Sequence, residues 1–149
     1  EELIAEYKGN KKKHLIIDSG GMDNNSIRQG LIVSDMIISP VAISQVEIFG
    51  LQDFNELLNS AGEVIDRNKT FVLLNNVNKQ AKKEIQHIKE LIFSEFDFVL
   101  LNTILGTRKA YKDAYSFGKS VVELAPQSPA SEEIVNLTNE IRQYIERAK

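Results

Sequence analysis

The sequence contains no cysteine. That excludes a disulfide framework and any thiolate metal site, and it fits a reducing cytosol. Histidine is almost as scarce. His14 and His87 lie far apart, without other metal-ligating residues around them, so a histidine-based zinc site is not expected. No apolar run approaches the roughly 20 residues that span a bilayer. The amino-terminal Glu-Glu-Leu-Ile-Ala-Glu-Tyr is acidic, unlike the basic start of a signal peptide. A cytoplasmic protein without a membrane partner is the expectation. A basic excess is missing too: 18 Lys and Arg face 21 Asp and Glu, for a net charge of −3. The chain as a whole carries no electrostatic signature for nucleic acid, although a local patch stays open. There is no repeat and no low-complexity tract. Nor is there a phosphate-cradling G-x-x-x-x-G-K-[ST] loop.

What is present is an ordinary core-forming composition, 42% hydrophobic over 149 residues. This fits one domain over residues 1–149, large enough to bury a substantial core. Short apolar runs alternate with amphipathic stretches, which predicts an α/β fold with a mainly parallel sheet flanked by helices. His14 to Asp18, Asp35 to Val41, Thr70 to Asn75 and Asp97 to Asn102 read as strands. Pro40 is expected to end pairing near an edge. Helices are expected from Asn24 or Asn25 to about Ser34, from Ser44 or Gln45 to about Asp66, from Gln80 to Phe93, and from Lys109 to Phe117. Gly118 suits the residue that ends the last of these. Ser120 to Leu124 reads as extended and Pro126 to Pro129 as a linker. A final helix starts at Ser131, with Ile134, Leu137, Ile141 and Ile145 on one face.

Several residues stand where chemistry is done. Asp18 ends an apolar run, and in an open α/β sheet ligands gather at the carboxyl ends of strands. By itself it reads first as a cap or turn carboxylate. Gly20 and Gly21 let the backbone turn sharply and approach a ligand closely, or simply make a tight turn. Asp23 suits a helix cap. Asn75 offers a donor and an acceptor together, matching the edge of a base, or it closes its own turn. Lys79, Lys82, Lys83, Lys109, Lys112, Lys119, Arg142, Arg147 and Lys149 are scattered cations. Each reads first as part of a solvated helix face, and several could converge on phosphates.

Four segments in order carry a resemblance. Ile16-Ile17-Asp18-Ser19-Gly20-Gly21-Met22-Asp23 is similar to I-I-D-[ST]-[GP]-G-R-D. Ile38-Ser39-Pro40-Val41-Ala42-Ile43-Ser44-Gln45 resembles V-P-V-x-P-S-x-x-D, and Val72-Leu73-Leu74-Asn75-Asn76-Val77 resembles V-L-N-R-V. Thr103-Ile104-Leu105-Gly106-Thr107-Arg108-Lys109-Ala110-Tyr111-Lys112-Asp113-Ala114 resembles T-x-I-x-x-R-x-A-Y-x-[DE]-A, and Gly118 to Glu123 continues it as G-x-[ST]-V-x-E. Together, from about Lys13 to Leu124, they are similar to the ParA/MinD-type deviant Walker ATPases that partition plasmids and chromosomes. Met22, Ile43 and Asn76 depart from the pattern.

The resemblance implies a P-loop NTPase-like fold that is incomplete at the amino terminus. A strand and a Walker-A loop would precede this chain, which begins without Met in what reads as mid-helix. It implies Asp18 as the catalytic, Mg²⁺-holding carboxylate and Gly20 and Gly21 as the γ-phosphate switch. Asn75 would contact the base of ATP, and Arg108 would approach the base or hold a loop. The intact protein would hydrolyse ATP with Mg²⁺, form a homodimer, bind DNA without sequence preference and answer to a ParB-like adaptor. Without its phosphate grip this chain is expected to be inactive as an ATPase. Loss of a central strand would also leave an open sheet edge, so dimerisation or swapping is expected. The alternative is a ParA-like module that binds a partner protein and no nucleotide. The last helix carries Glu132, Glu133, Glu140 and Glu146 on its polar face. That suits an anionic membrane poorly, so it is expected to dock on the core.

Overall fold

The computed structural model describes residues 14–20 and 25–147, apart from the side chain of Glu63. Three parallel strands form one sheet in the order β1 (Ile37–Val41), β2 (Thr70–Val77), β3 (Val99–Gly106). Helix α1 (Asn25–Val33) precedes β1, α2 (Gln45–Ala61) joins β1 to β2, and α3 (Lys82–Glu95) joins β2 to β3. After β3 come α4 (Lys109–Ser116), α5 (Val121–Leu124) and α6 (Pro129–Arg147). The chain is thus an α/β fold with a three-stranded parallel sheet flanked by helices.

Alternation along β2 explains the layers. Val72 and Leu74 point to one face, where Val41, Leu51, Ile88 and Ile92 join them, so α2 and α3 cover that side. Phe71 and Leu73 point to the other, where Leu101 and Leu105 of β3 meet Ile134, Leu137 and Tyr144 of α6. A strand covered on both faces is apolar almost throughout, and the first five residues of β2 are all buried. Leu31 of α1 packs with Ile37, Leu58 and Ile65 at the amino end of the sheet. Lys69 Nζ, 2.6 Å from the Ser34 carbonyl oxygen, donates a hydrogen bond just past the end of α1.

Side-chain caps fix three of the six described helix starts. The Ser44 hydroxyl accepts from the Glu47 N–H at the start of α2. The Ser128 hydroxyl accepts from the Ser131 N–H, which puts Pro129 at the favoured first position of α6 rather than in a linker. Helix α2 ends at Ala61, before Gly62 at φ 60°; a short 3₁₀ turn (Gly62–Val64) falls in the stretch expected to be helical up to Asp66, and a second (Arg67–Lys69) leads into β2. Gly118, also at φ 60°, follows α4 as expected. Ser120 to Leu124 is not extended. Ser120 and Glu123 form a reciprocal capping box, and this local helix signal overrides the β preference of Val121 and Val122.

The largest departure is at the amino-terminal side. The expected strand from His14 to Asp18 is absent: residues 14–20 have no regular secondary structure and are all exposed, with Ile16 at 89%. A strand exists only through a neighbour's ladder, and among the described residues β1 and β3 pair with β2 alone. Pro40, in register with Leu73, lies within β1 rather than ending it. An edge strand tolerates the missing N–H.

Strand β3 runs past its expected end because it bulges. Val72 pairs with Leu100 and Leu74 with Ile104, so β3 spends two more residues than β2 over that stretch. In a straight strand Asn102 would share a face with Leu100 and Ile104, inside the α2/α3 core. The irregularity leaves Asn102 exposed and keeps the apolar residues packed.

Candidate functional site

Parallel strands deliver their following loops to one end of the sheet, and there the loops after β2 and β3 meet. Thr107 fastens them: its N–H donates to the Val77 carbonyl and its hydroxyl to the Asn76 carbonyl, both at 2.9 Å. Asn76 sits at φ 55°, a left-handed conformation that Asn tolerates better than most residues.

Beside this junction Glu133, from the first turns of α6, is only 5% exposed. Its Oε1 accepts from Arg108 Nε at 3.0 Å and Nη2 at 2.7 Å, and lies 2.6 Å from Lys79 Nζ. Its Oε2 accepts from the Gly106 N–H at 3.0 Å and the Tyr111 hydroxyl at 2.9 Å. Burial works against the charge on Glu133. Arg108, Lys79, the Gly106 N–H and Tyr111 outweigh it and hold the carboxyl at about 2. Burial and the bond to Glu133 push the Tyr111 phenol well above its ordinary value, so it remains a donor. The hydrogen bond to Glu133 likewise raises Arg108. Gly106 makes room for the cluster. A side chain there would meet Arg108 Nε and Glu133 Oε1 at 3.4 Å and Lys79 Cε at 3.5 Å.

A shallow cleft of about 490 Å³ runs beside the cluster, lined by Lys79, Ile85, Asn102, Thr103, Ile104 and Glu133 together with Asn136. A second hollow, of about 520 Å³ around Leu58, Gly62 and Arg67, lies by the amino end of β2, away from the strand tips.

The expected site residues do not all come together. Asn75 is half-buried near the carboxyl end of β2, and Arg108 opens α4 just beyond β3. These two fall at adjacent strand tips. Asp18 and Gly20 lie in the exposed segment outside the sheet, and nothing comes within 4 Å of a Cβ built on Gly20. Gly21 and Asp23 lie outside the described residues. Arg108 is engaged by Glu133 instead of projecting freely. Lys79, expected on a solvated face, is tied to the same carboxylate. Lys82, Lys83 and Lys112 are exposed and stand on helices that start at this end of the sheet, and Arg142 and Arg147 lie on the latter half of α6. Lys149 is not among the described residues.

The described residues do not by themselves fit Mg·ATP. Asp18, the carboxylate expected to serve the metal, is exposed in a segment outside the sheet, and Arg108, expected to approach the base or to hold a loop, is held by Glu133. Among the described residues no three His, Asp or Glu side chains gather as a metal site. No described helix is long and apolar enough to cross a membrane.

Glu133 escaped the sequence reading, which placed it on the polar face of the last helix. The signal was its spacing. Glu133, Leu137, Glu140 and Tyr144 follow one another at helical intervals along the edge of the apolar stripe, so two carboxylates point at the sheet. A scan of family models and a search of curated proteins find no match to this chain.

Proposed function

We propose that this chain is the larger, carboxyl-terminal part of a ParA-like partitioning ATPase, of the P-loop NTPase-like fold class. The observation that carries this reading is positional. The segment resembling V-L-N-R-V ends at one strand tip and the one resembling T-x-I-x-x-R-x-A-Y runs through the neighbouring parallel tip, where Thr107 joins the two and Glu133 holds Arg108. The outer edge of β1, unpaired among the described residues, and the exposed apolar run Leu15-Ile16-Ile17 support it further. In the proposed whole protein a strand followed by a phosphate loop lies between them, covering both.

On this reading the intact protein binds ATP with Mg²⁺ and works as a cytoplasmic homodimer. It holds DNA through backbone phosphates and meets a ParB-like adaptor. Asp18, Gly20, Gly21 and Asn75 are the nucleotide-facing residues of that larger protein, and Arg108 joins them only if it leaves Glu133. The chain alone does not hydrolyse ATP.

The test is a titration of Mg·ATP against this chain and against a version extended through the in-frame residues that precede it, each with an Asp18→Ala control. Binding by the extended form alone, weakened at least tenfold by the substitution, supports the proposal. Absence of binding in both forms moves the function to a nucleotide-free, partner-binding ParA-like module. One observation favours that second reading: Arg108 gives Nε and Nη2 to Glu133, as a residue with a structural task would.

A further inference from the structure

Two of the outward edges of this sheet are treated differently, and β3 carries the informative one. It is an edge strand, and such a strand offers unpaired N–H and C=O groups to any other strand that meets it. Here the offer is withdrawn. Glu140 Oε1 accepts from the Asn102 N–H at 2.6 Å and from Asn102 Nδ2 at 3.0 Å, while its Oε2 accepts from the Thr103 N–H at 2.9 Å. Successive N–H groups of a straight strand point opposite ways. The bulge at Asn102 and Thr103 turns both toward one carboxylate. Seven residues earlier on α6, two helical turns, Glu133 takes the Gly106 N–H. The cleft between α3 and α6 is therefore floored by main chain whose donors already face α6.

We infer that α6 is a strap that closes the outer edge of β3 against strand addition by a second copy of this chain, with Glu140 and Glu133 as its two clasps. A second copy is the natural occupant because it brings the same strand, and main-chain pairing between two β3 edges needs no side-chain match. The bulge contributes to the block, since a kinked edge cannot extend a flat ladder. Glu140 is the clasp at that kink. The inference does not depend on nucleotide binding.

Amide exchange and sedimentation of the full 149-residue chain test it together. In the wild type the Asn102 and Thr103 amides are expected to exchange slowly despite lying on an edge strand. In Glu140→Ala their exchange should rise roughly tenfold or more while the β2 amides keep their protection. The variant should also sediment as a larger species than the wild type at the same concentration. Glu140→Gln can accept from only one of the two N–H groups, so it should fall between the two, and it carries the test if the alanine variant does not fold. Unchanged exchange at Asn102 and Thr103 in both variants overturns the inference. So does faster exchange with no growth in size at any concentration.

Discussion

The two outer edges of the sheet make an instructive pair. At β3 the backbone donors of Asn102, Thr103 and Gly106 all end on carboxylates from one helix. At β1 no strand among the described residues pairs on the outer side, and the apolar run Leu15-Ile16-Ile17 remains exposed. The edges differ in their own sequence, since β1 is five residues with Pro40 inside it and β3 is eight residues with the polar pair Asn102 and Thr103 at its bulge. The partner differs as well. Helix α6 carries the two glutamates that take these three β3 donors, whereas the described residues carry nothing comparable for β1. One edge is closed by a helix of this chain, and the other carries no such closure among the described residues.

The strongest way to break the comparison is to remove the buried clasp. Glu133→Ala strands Arg108 and Lys79 and leaves the buried Gly106 N–H without its acceptor. Loss of one partner of a buried pair costs about 3–5 kcal/mol. The lower end is expected here, because both cations can regain some water. A urea titration should show the loss as a lower midpoint. Glu133→Gln keeps acceptor capacity without the charge and should cost about half as much. A loss below about 1 kcal/mol for the alanine variant would mean that the finished edge is no better held than the open one.

Acid should act on the same edge. The Glu133 carboxyl is held at about 2, below its ordinary value of 4.5, and Glu140 is lowered too. A depressed carboxylate contributes its full stability above the ordinary value. The contribution is then lost as pH falls from about 4.5 toward 2, since the unfolded chain takes up protons first. Unfolding midpoints measured down this range should fall steeply for the wild type and less for Glu133→Gln. Parallel curves would remove Glu133 from the account. A smaller change is expected for Tyr111→Phe. It deletes the donor to Glu133 Oε2 and the Ala130 carbonyl, and should cost about 1 kcal/mol in the same urea measurement.

Most of the sheet was legible because burial on two faces writes itself as apolar runs. Phe71 to Leu74 and Val99 to Leu101 announce β2 and β3 without help. The continuation of β3 through Asn102 and Thr103 was not legible. A polar pair inside an apolar run looks like an end, and only the acceptor on α6 turns it into a bulge. The Glu133 cluster was hidden for a related reason: its members come from the loop after β2, the end of β3, α4 and α6. Only packing puts α6 beside the strand tip. Leu15 to Asp18 reads as a strand by the same apolar rule that served β2 and β3. The rule reports a wish to be buried, and a strand needs in addition an edge to pair with.

That distinction yields the smallest and most discriminating prediction. Ile16 is 89% exposed, so Ile16→Ala in this chain should change stability by less than about 0.5 kcal/mol. If the run is the second strand of a site completed by preceding residues, the same substitution in the extended chain removes a buried side chain. The cost then rises to about 2–5 kcal/mol. The two measurements need no nucleotide, so they separate the open-edge argument from the question of ATP. A silent substitution in both forms would make Leu15-Ile16-Ile17 an exposed apolar patch. The comparison between the edges would then contrast a closed strand with a docking surface. A cost in the extended form alone would identify the open edge of β1 as the place where the fold is continued.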